Sequence, residues 1–244
     1  MGRTKTLAIV GALTGILAGT TSVQAADPSI LVGAAPEVFK RIPAVVEEFG
    51  TGWYLRGDIG YRQSNLGSTS TTGGAGNPSR GELDDAFSMG GGFGIKHGWL
   101  RADITADYMT NTEYRGSLAT ADDVRTSIEG VVALANVYFD LGTWSGFTPY
   151  VGAGIGASNL WTNAFASPGL LANTDKLTAN KWGMAWAVMA GASYQISARM
   201  LIDGSYRYLH MGEASTGQDI LGNQLHFEDL TAHELRIGVR YLID

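Results

Sequence analysis

The chain has 244 residues, with 17 Lys and Arg against 23 Asp and Glu, a formal net charge of −6, and no cysteine. The missing cysteines exclude thiol catalysis, disulfides and Cys-ligated metals. The acidic balance has the wrong sign for nucleic-acid binding, which rests on neutralising phosphates with Lys and Arg.

Residues 1–25 read as a signal peptide. Arg3 and Lys5 form a basic start, Leu7 to Ala18 is an apolar run, and Val23-Gln24-Ala25 places small side chains where signal peptidase needs them. About a dozen apolar residues are too few to span a ~30 Å hydrocarbon core as a helix. The opening Met1-Gly2 also fits the loose myristoylation pattern, but the cleavage site after the apolar run outweighs it. Removal at Ala25 leaves 15 basic against 23 acidic side chains, a formal charge of −8. Residues 26–51, with Pro28, Pro36 and Pro43 and no clean periodicity, read as a periplasmic linker.

From residue 52 to 244 the chain alternates apolar and polar side chains in runs of roughly ten, separated by alternately long and short gaps. In the first run Trp53, Leu55, Ile59 and Tyr61 share one face, and Tyr54, Arg56, Asp58 and Arg62 the other. Phe87, Met89, Phe93 and Ile95 continue the apolar face in the second, with Ser88, Gly90, Gly92, Gly94 and Lys96 opposite. The third puts Leu100, Ile104 and Tyr108 out and Arg101, Asp103, Thr105 and Asp107 in. The fourth, about 126–139, is apolar at nearly every position. Sending Asn136 and Asp140 inward assigns Val131, Ala133, Ala135, Val137 and Phe139 outward. Val151 and Ile155 mark the fifth apolar face, with Gly152, Gly154 and Gly156 behind. Trp182, Met184, Trp186, Val188 and Tyr194 mark the sixth. The seventh turns Asp203, Ser205 and Arg207 inward, and the eighth Glu234, Arg236 and Arg240.

A sheet that keeps an apolar outer face through eight strands must lie in lipid, because a soluble barrel would expose far more apolar surface than water tolerates. The expected fold class is therefore all-β, an eight-stranded antiparallel up-and-down transmembrane barrel in a bacterial outer membrane. The even count puts both ends on the periplasmic side. Short turns near His97, Thr143 and Ala198 lie there too, with long outer loops at about 63–84, 110–125, 159–181 and 212–228. Tyr61, Phe87, Tyr108, Trp182 and Tyr208 are expected in an outer aromatic girdle, and Trp53, Phe139, Tyr194 and Tyr241 in an inner one.

Specific segments carry a resemblance. Gly52 to Tyr61 resembles the opening strand of the small outer-membrane surface proteins of alphaproteobacteria. Asn136 to Gly142 followed by Thr148-Pro149-Tyr150-Val151-Gly152-Ala153-Gly154 is similar to their central hairpin. Asp203 to Tyr208 and Arg236 to Tyr241 are similar to their closing pair. These opacity-like or porin-like proteins share the architecture of the OmpA transmembrane domain. The resemblance implies a surface antigen, inserted by the barrel assembly machinery, that supports envelope integrity and contacts lipopolysaccharide or host ligands through its outer loops. Barrels of this kind commonly end on an aromatic residue, whereas this chain ends Tyr241-Leu242-Ile243-Asp244.

Inside, Arg56, Arg62, Lys96, Arg101, Arg207, Arg236 and Arg240 oppose Asp58, Asp103, Asp107, Asp140, Asp203 and Glu234. Eight strands leave an interior that side chains just fill. Charges so confined must pair, which predicts a salt-bridged plug with the inward glycines making room for arginine. Removing Asp203 or Arg207 is then expected to cost roughly 3–5 kcal/mol. A Gly-rich phosphate loop is excluded because no helix follows the glycines.

No catalytic, cofactor or metal residues are assigned. His97, His210, His226 and His233 are not followed two positions on by Ser, and no His-Asp dipeptide occurs. Asp84-Asp85 and Asp122-Asp123 read as solvated loop edges, and His210 with His226 is too loose a pair to name a metal site. Apolar residues in the outer segments, such as Trp161, Phe165, Leu170, Leu171, Ile220 and Leu225, read as loop anchors. The expected function is a structural, surface-exposed envelope protein. The alternative is a narrow porin for small solutes.

Overall fold

Each alternating run becomes a strand, and the strands are longer than the runs. The computed structural model describes residues 51–72, 79–117, 123–165, 177–216 and 224–243. Among them lie β1 (Thr51–Asn65), β2 (Ser68–Thr72), β3 (Ser79–Leu83), β4 (Ala86–His97), β5 (Leu100–Ser117), β6 (Asp123–Asp140), β7 (Phe147–Phe165), β8 (Leu177–Gln195), β9 (Met200–Ser215) and β10 (Gln224–Ile243). The signal peptide read at 1–25 and the linker at 26–51 lie outside the described residues, except Thr51, which already opens β1.

β1 and β4 to β10 pair antiparallel in chain order, and β10 returns to β1 from Trp53↔Ile243 to Asn65↔Thr231. The result is a closed eight-stranded barrel with no free edge between its first and last strands. β2 pairs β10 and β3 pairs β5, so these short strands extend the walls of β1 and β4 beyond breaks at Leu66-Gly67 and Asp84-Asp85.

The facings assigned from the sequence hold throughout the lipid-crossing part. Along β1, Trp53, Leu55, Ile59 and Tyr61 are exposed while Tyr54, Asp58 and Arg62 are buried. β6, the ambiguous strand, exposes Ala133, Ala135, Val137 and Phe139 and buries Val132, Leu134, Asn136, Tyr138 and Asp140. Thr51–Asn65 covers roughly 46 Å of strand at ~3.3 Å per residue, enough for a strand tilted by about 40° to cross an apolar band about 25 Å tall.

The outer loops are shorter than expected. β5 to β8 and β10 run 18 to 20 residues. Most of the segments read as loops at 110–125, 159–181 and 212–228 are wall, as are both flanks of 63–84. The sequence pattern failed there for a physical reason. Above the girdle the outer face meets water, so Glu113, Arg115, Glu129, Glu213, Glu228 and Asp229 point away from the lumen and the lipid-type alternation ends.

One seam in this projecting wall is not zipped. The β8–β9 ladder runs from Gln195↔Leu201 to Trp186↔His210, and no pair between the two strands follows among the described residues. Gly212, at φ +80°, bends β9 inward there, where a Cβ would lie 3.2 Å from the Met184 carbonyl. The bent strand is caught by β7: Ser158 Oγ donates to Met211 O (2.6 Å) and Thr162 Oγ1 to Ser215 O (2.8 Å).

Candidate functional site

Two places in such a barrel can carry function, the lumen and the outer rim. The periplasmic half of the lumen is a buried ion-pair network. Arg56 bridges Asp58 and Asp103, each at 3.0 Å. Lys96 and Arg101 share Asp140, each at 2.8 Å. Arg207 joins Asp107 and Glu234, each at 2.6 Å, and Arg236 contacts Asp58, Asp107 and Glu234. Arg240 pairs with Asp203 and donates to Ser193 Oγ at 3.1 Å.

Tyrosines frame these charges. The Arg101 guanidinium lies 4.8 Å from the Tyr138 ring centre and 4.5 Å from that of Tyr150, and Arg240 lies 5.3 Å from Tyr54. The Tyr54 and Tyr138 hydroxyls reach into the network, to Asp103 (3.0 Å) and from Arg56 Nη1 (2.8 Å). The inward glycines of the second and fifth runs make room for neighbouring side chains and backbone rather than for arginine, correcting the expectation, whereas a Cβ at inward Gly60 would meet Arg236 Cγ at 3.2 Å. A Cβ at Gly94 would meet Asp103 Cβ and Tyr54 at 2.6 Å, and one at Gly191 would meet Tyr150 at 2.9 Å. At Gly90, Gly152 and Gly154 it would run into Asp107, Tyr138 and Asn136.

The outer half of the lumen is apolar. Met109, Tyr114, Ile128, Val132, Leu134, Leu160, Leu209, Met211, Phe227 and Leu230 pack into one buried cluster. Phe227 and Tyr114 meet edge to face at 5.1 Å. Two cavities inside the barrel measure about 10 Å³ each, room for about one water molecule.

The outer surface carries the expected aromatic belts. Tyr61 and Phe87 contact edge to face at 5.8 Å, and Trp99 stacks on Phe139 at 5.4 Å. Trp182 is the most exposed of the large apolar side chains among the described residues, at 71 %. Trp99, Trp144 and Phe147 add to the periplasmic end and were not singled out in the sequence.

A profile of the outer membrane protein beta-barrel domain matches residues 16–241. The chain belongs to this family. An uncharacterized protein of Brucella suis is 31 % identical over 91 % of this chain and 94 % of its own. An adhesin candidate of Rickettsia bellii is 28 % identical over 78 % of this chain and 87 % of its own. The outer membrane protein OprG of Pseudomonas aeruginosa shares the fold at a TM-score of 0.52 and 15 % identity, over 80 % of this chain and 98 % of that one. As a member of the outer-membrane barrel family, the protein resides in the outer membrane, surrounded by its lipid and lipopolysaccharide.

The residues checked for other chemistry are dispersed in this outer-membrane barrel. His210 stacks on Trp186 at 5.5 Å, accepts from Gly212 N at 3.3 Å and lies 3.5 Å from Asp229. His233 packs against Tyr206 and Tyr208, and His97 sits at the first periplasmic turn. His226 lies in β10 opposite Ser70 and Ser215. Asp84 pairs with Arg115 at 3.0 Å and Asp85 accepts from Tyr61, so this acid pair closes the break between β3 and β4. Trp161, read as a loop anchor, belongs to β7, and Phe165 and Leu225 lie in β7 and β10. Asp122, Leu170, Leu171 and Ile220 lie outside the described residues. The apolar half of the lumen went unread. Its signal was the run of Ile128, Val132 and Leu134 at even positions opposite Ser127 and Glu129.

Proposed function

We propose that the protein is a closed envelope barrel whose function is exercised at its outer face. The observation that carries this reading is the filled lumen: a buried ion-pair layer and an apolar layer in series, with two cavities among the described residues that each hold about one water molecule. Such packing disfavours the porin alternative, since a hydrated path would have to break both layers. The projecting wall, polar on its outside, then forms a rigid pedestal for ligand contact, the usual place for binding on a scaffold. The adhesin candidate among the relatives supports host surfaces as that ligand class, with lipopolysaccharide as the near neighbour in the membrane. The reading is non-enzymatic and needs no cofactor. It includes export with cleavage after Ala25, a 26–51 linker and insertion by the barrel assembly machinery, and the intact mass of protein extracted from membranes tests the cleavage.

The deciding experiment is single-channel recording of the purified, refolded barrel in a planar bilayer. Sustained silence from a heat-modifiable sample is the expected result. Reproducible discrete openings would sink the closed-barrel reading and bring back the narrow porin.

A further inference from the structure

The lumen charges do not quite cancel, and the imbalance has an address. Six cations (Arg56, Lys96, Arg101, Arg207, Arg236 and Arg240) contact six carboxylates, every one of which is engaged. Arg62 is the seventh cation. It is 3 % exposed, yet makes no ion pair among the described residues. Its Nη2 donates only to neutral oxygens, Thr110 O at 3.2 Å and Thr112 Oγ1 at 2.9 Å, and its Nε is buried with no partner. Glu234 lies opposite Arg62 on the β1–β10 ladder without forming an ion pair with it: Arg207 and Arg236 both bind its Oε2, and its buried Oε1 has no hydrogen-bond partner. A buried, uncompensated charge costs several kcal/mol, so a counter-charge from outside the chain has a strong reason to be there.

The space for it exists. Arg62, Ser64 and Thr112 form the polar side of one of the water-sized cavities, about 10 Å³, and Met109, Leu160 and Met211 are among its apolar walls. Thr112 Oγ1 accepts from Arg62, which leaves its own proton to donate. Apolar walls strengthen a charge interaction that water would screen. They also penalise multivalent, strongly hydrated ions. Met211 stands one residue past the last β8–β9 pair, so the cavity borders the unzipped seam.

We propose that Arg62 and Thr112 bind one small monovalent anion, a halide, in this cavity. The anion completes the neutral plug and makes the outer half of the barrel a ligand site rather than inert filling. The proposal does not depend on whether the barrel conducts.

The test follows the Nε–H resonance of Arg62 by nitrogen-15 NMR in the intact, refolded protein. Sodium chloride, sodium butyrate and sodium sulfate are compared at matched ionic strength. A saturable shift with chloride alone supports the halide site, and one with butyrate alone overturns it. An equal shift with both overturns it too, since a one-water cavity has no room for an alkyl carboxylate. Curves that superimpose on sulfate overturn the proposal, and a water held by Arg62 and Thr112 then takes the space. Thr112→Val is expected to raise the half-saturating concentration roughly tenfold, by loss of one hydrogen bond to a charged group. An unchanged half-saturation overturns the assignment to this cavity. Arg62→Gln should abolish the anion-dependent rise in melting temperature that binding to the native state produces. If that variant does not assemble, Thr112→Val carries the test alone.

Discussion

Arg207 and Glu234 sit opposite each other on the β9–β10 ladder, and their side chains meet as a 2.6 Å ion pair, neither more than 5 % exposed. The pair is one link in a ring, since Arg236 also contacts Glu234 and Asp107. Deleting Arg207 therefore leaves both of its carboxylates with a cation. Deleting Asp203 leaves Arg240 with only the Ser193 hydroxyl and the Tyr54 ring. From sequence the two deletions looked equivalent. The network separates them: Asp203→Ala is expected to cost about 3–5 kcal/mol, and Arg207→Ala at least about 1 kcal/mol less. Reversible urea unfolding of the barrel in vesicles gives both numbers, and the opposite order would refute this partition.

The glycines offer a paired test of packing. Gly94 faces the lumen, where a Cβ would sit 2.5 Å from the Ala102 carbonyl and 2.6 Å from Asp103 Cβ. Gly204 faces lipid and has nothing within 4 Å. Gly94→Ala should destabilise by about 1–3 kcal/mol through overpacking. Gly204→Ala should stay within roughly 0.5 kcal/mol of wild type, as an uncrowded surface change does. Equal effects would mean that the tyrosine frame yields more easily than its spacing suggests.

Two filled layers in series imply that opening one is not enough to conduct. Leu160 and Leu209, about 1 % and 0 % exposed, lie in the outer layer. Leu160→Ala with Leu209→Ala should cost several kcal/mol, at roughly 2–5 kcal/mol per buried leucine. Bilayer recordings should remain silent, because Arg101, Asp140 and the Glu234 cluster still close the periplasmic half. Current from this double variant alone would show that the apolar layer is the whole barrier.

How much of this was legible follows from which solvent each face meets. Between the girdles, lipid requires an apolar residue at every second position, so Trp53 to Tyr61 and Leu235 to Ile243 were read correctly in facing. Above the girdle the phase inverts. The inside becomes apolar (Leu209 and Met211 in β9, Phe227 and Leu230 in β10) and the outside polar (Glu213, Glu228). β6 crosses from one regime to the other, which is why Val131 to Ala135 is apolar on both faces. Bulges add to the confusion: the register shifts between Met109 and Thr112 in β5, and between Phe227 and Leu230, beside Asp229 at φ +53°, in β10. A period-two reading breaks at each shift, and strand was taken for loop. The charged residues of the plug were legible because they are expensive to bury. Which carboxylate serves which arginine was not, because Arg207 and Asp107 meet across 100 residues of chain.

Among the described residues, the unzipped seam between β8 and β9 is bridged by the exposed contact of Lys181 Nζ with Glu213 Oε2 at 2.8 Å. The hydrogen bond from Lys181, and then its charge, hold the Glu213 carboxyl below the usual carboxylate range. A carboxyl lowered in the folded state stabilises that state above its unfolded value, and the contribution is lost as pH falls through the lowered one. The clasp should thus be closed at neutral pH and release below the ordinary value of 4.5. Amide hydrogen exchange reads it locally. After correction for intrinsic rates, the amides of 181–185 and 211–215 should exchange faster below that pH, while those of Trp186 to Gln195, inside the ladder, should not change. Lys181→Met should remove the pH dependence and leave these amides fast at neutral pH. If wild type shows no acid-dependent step at the seam, Ser158 and Thr162 hold the bent strand on their own and the clasp is ornamental.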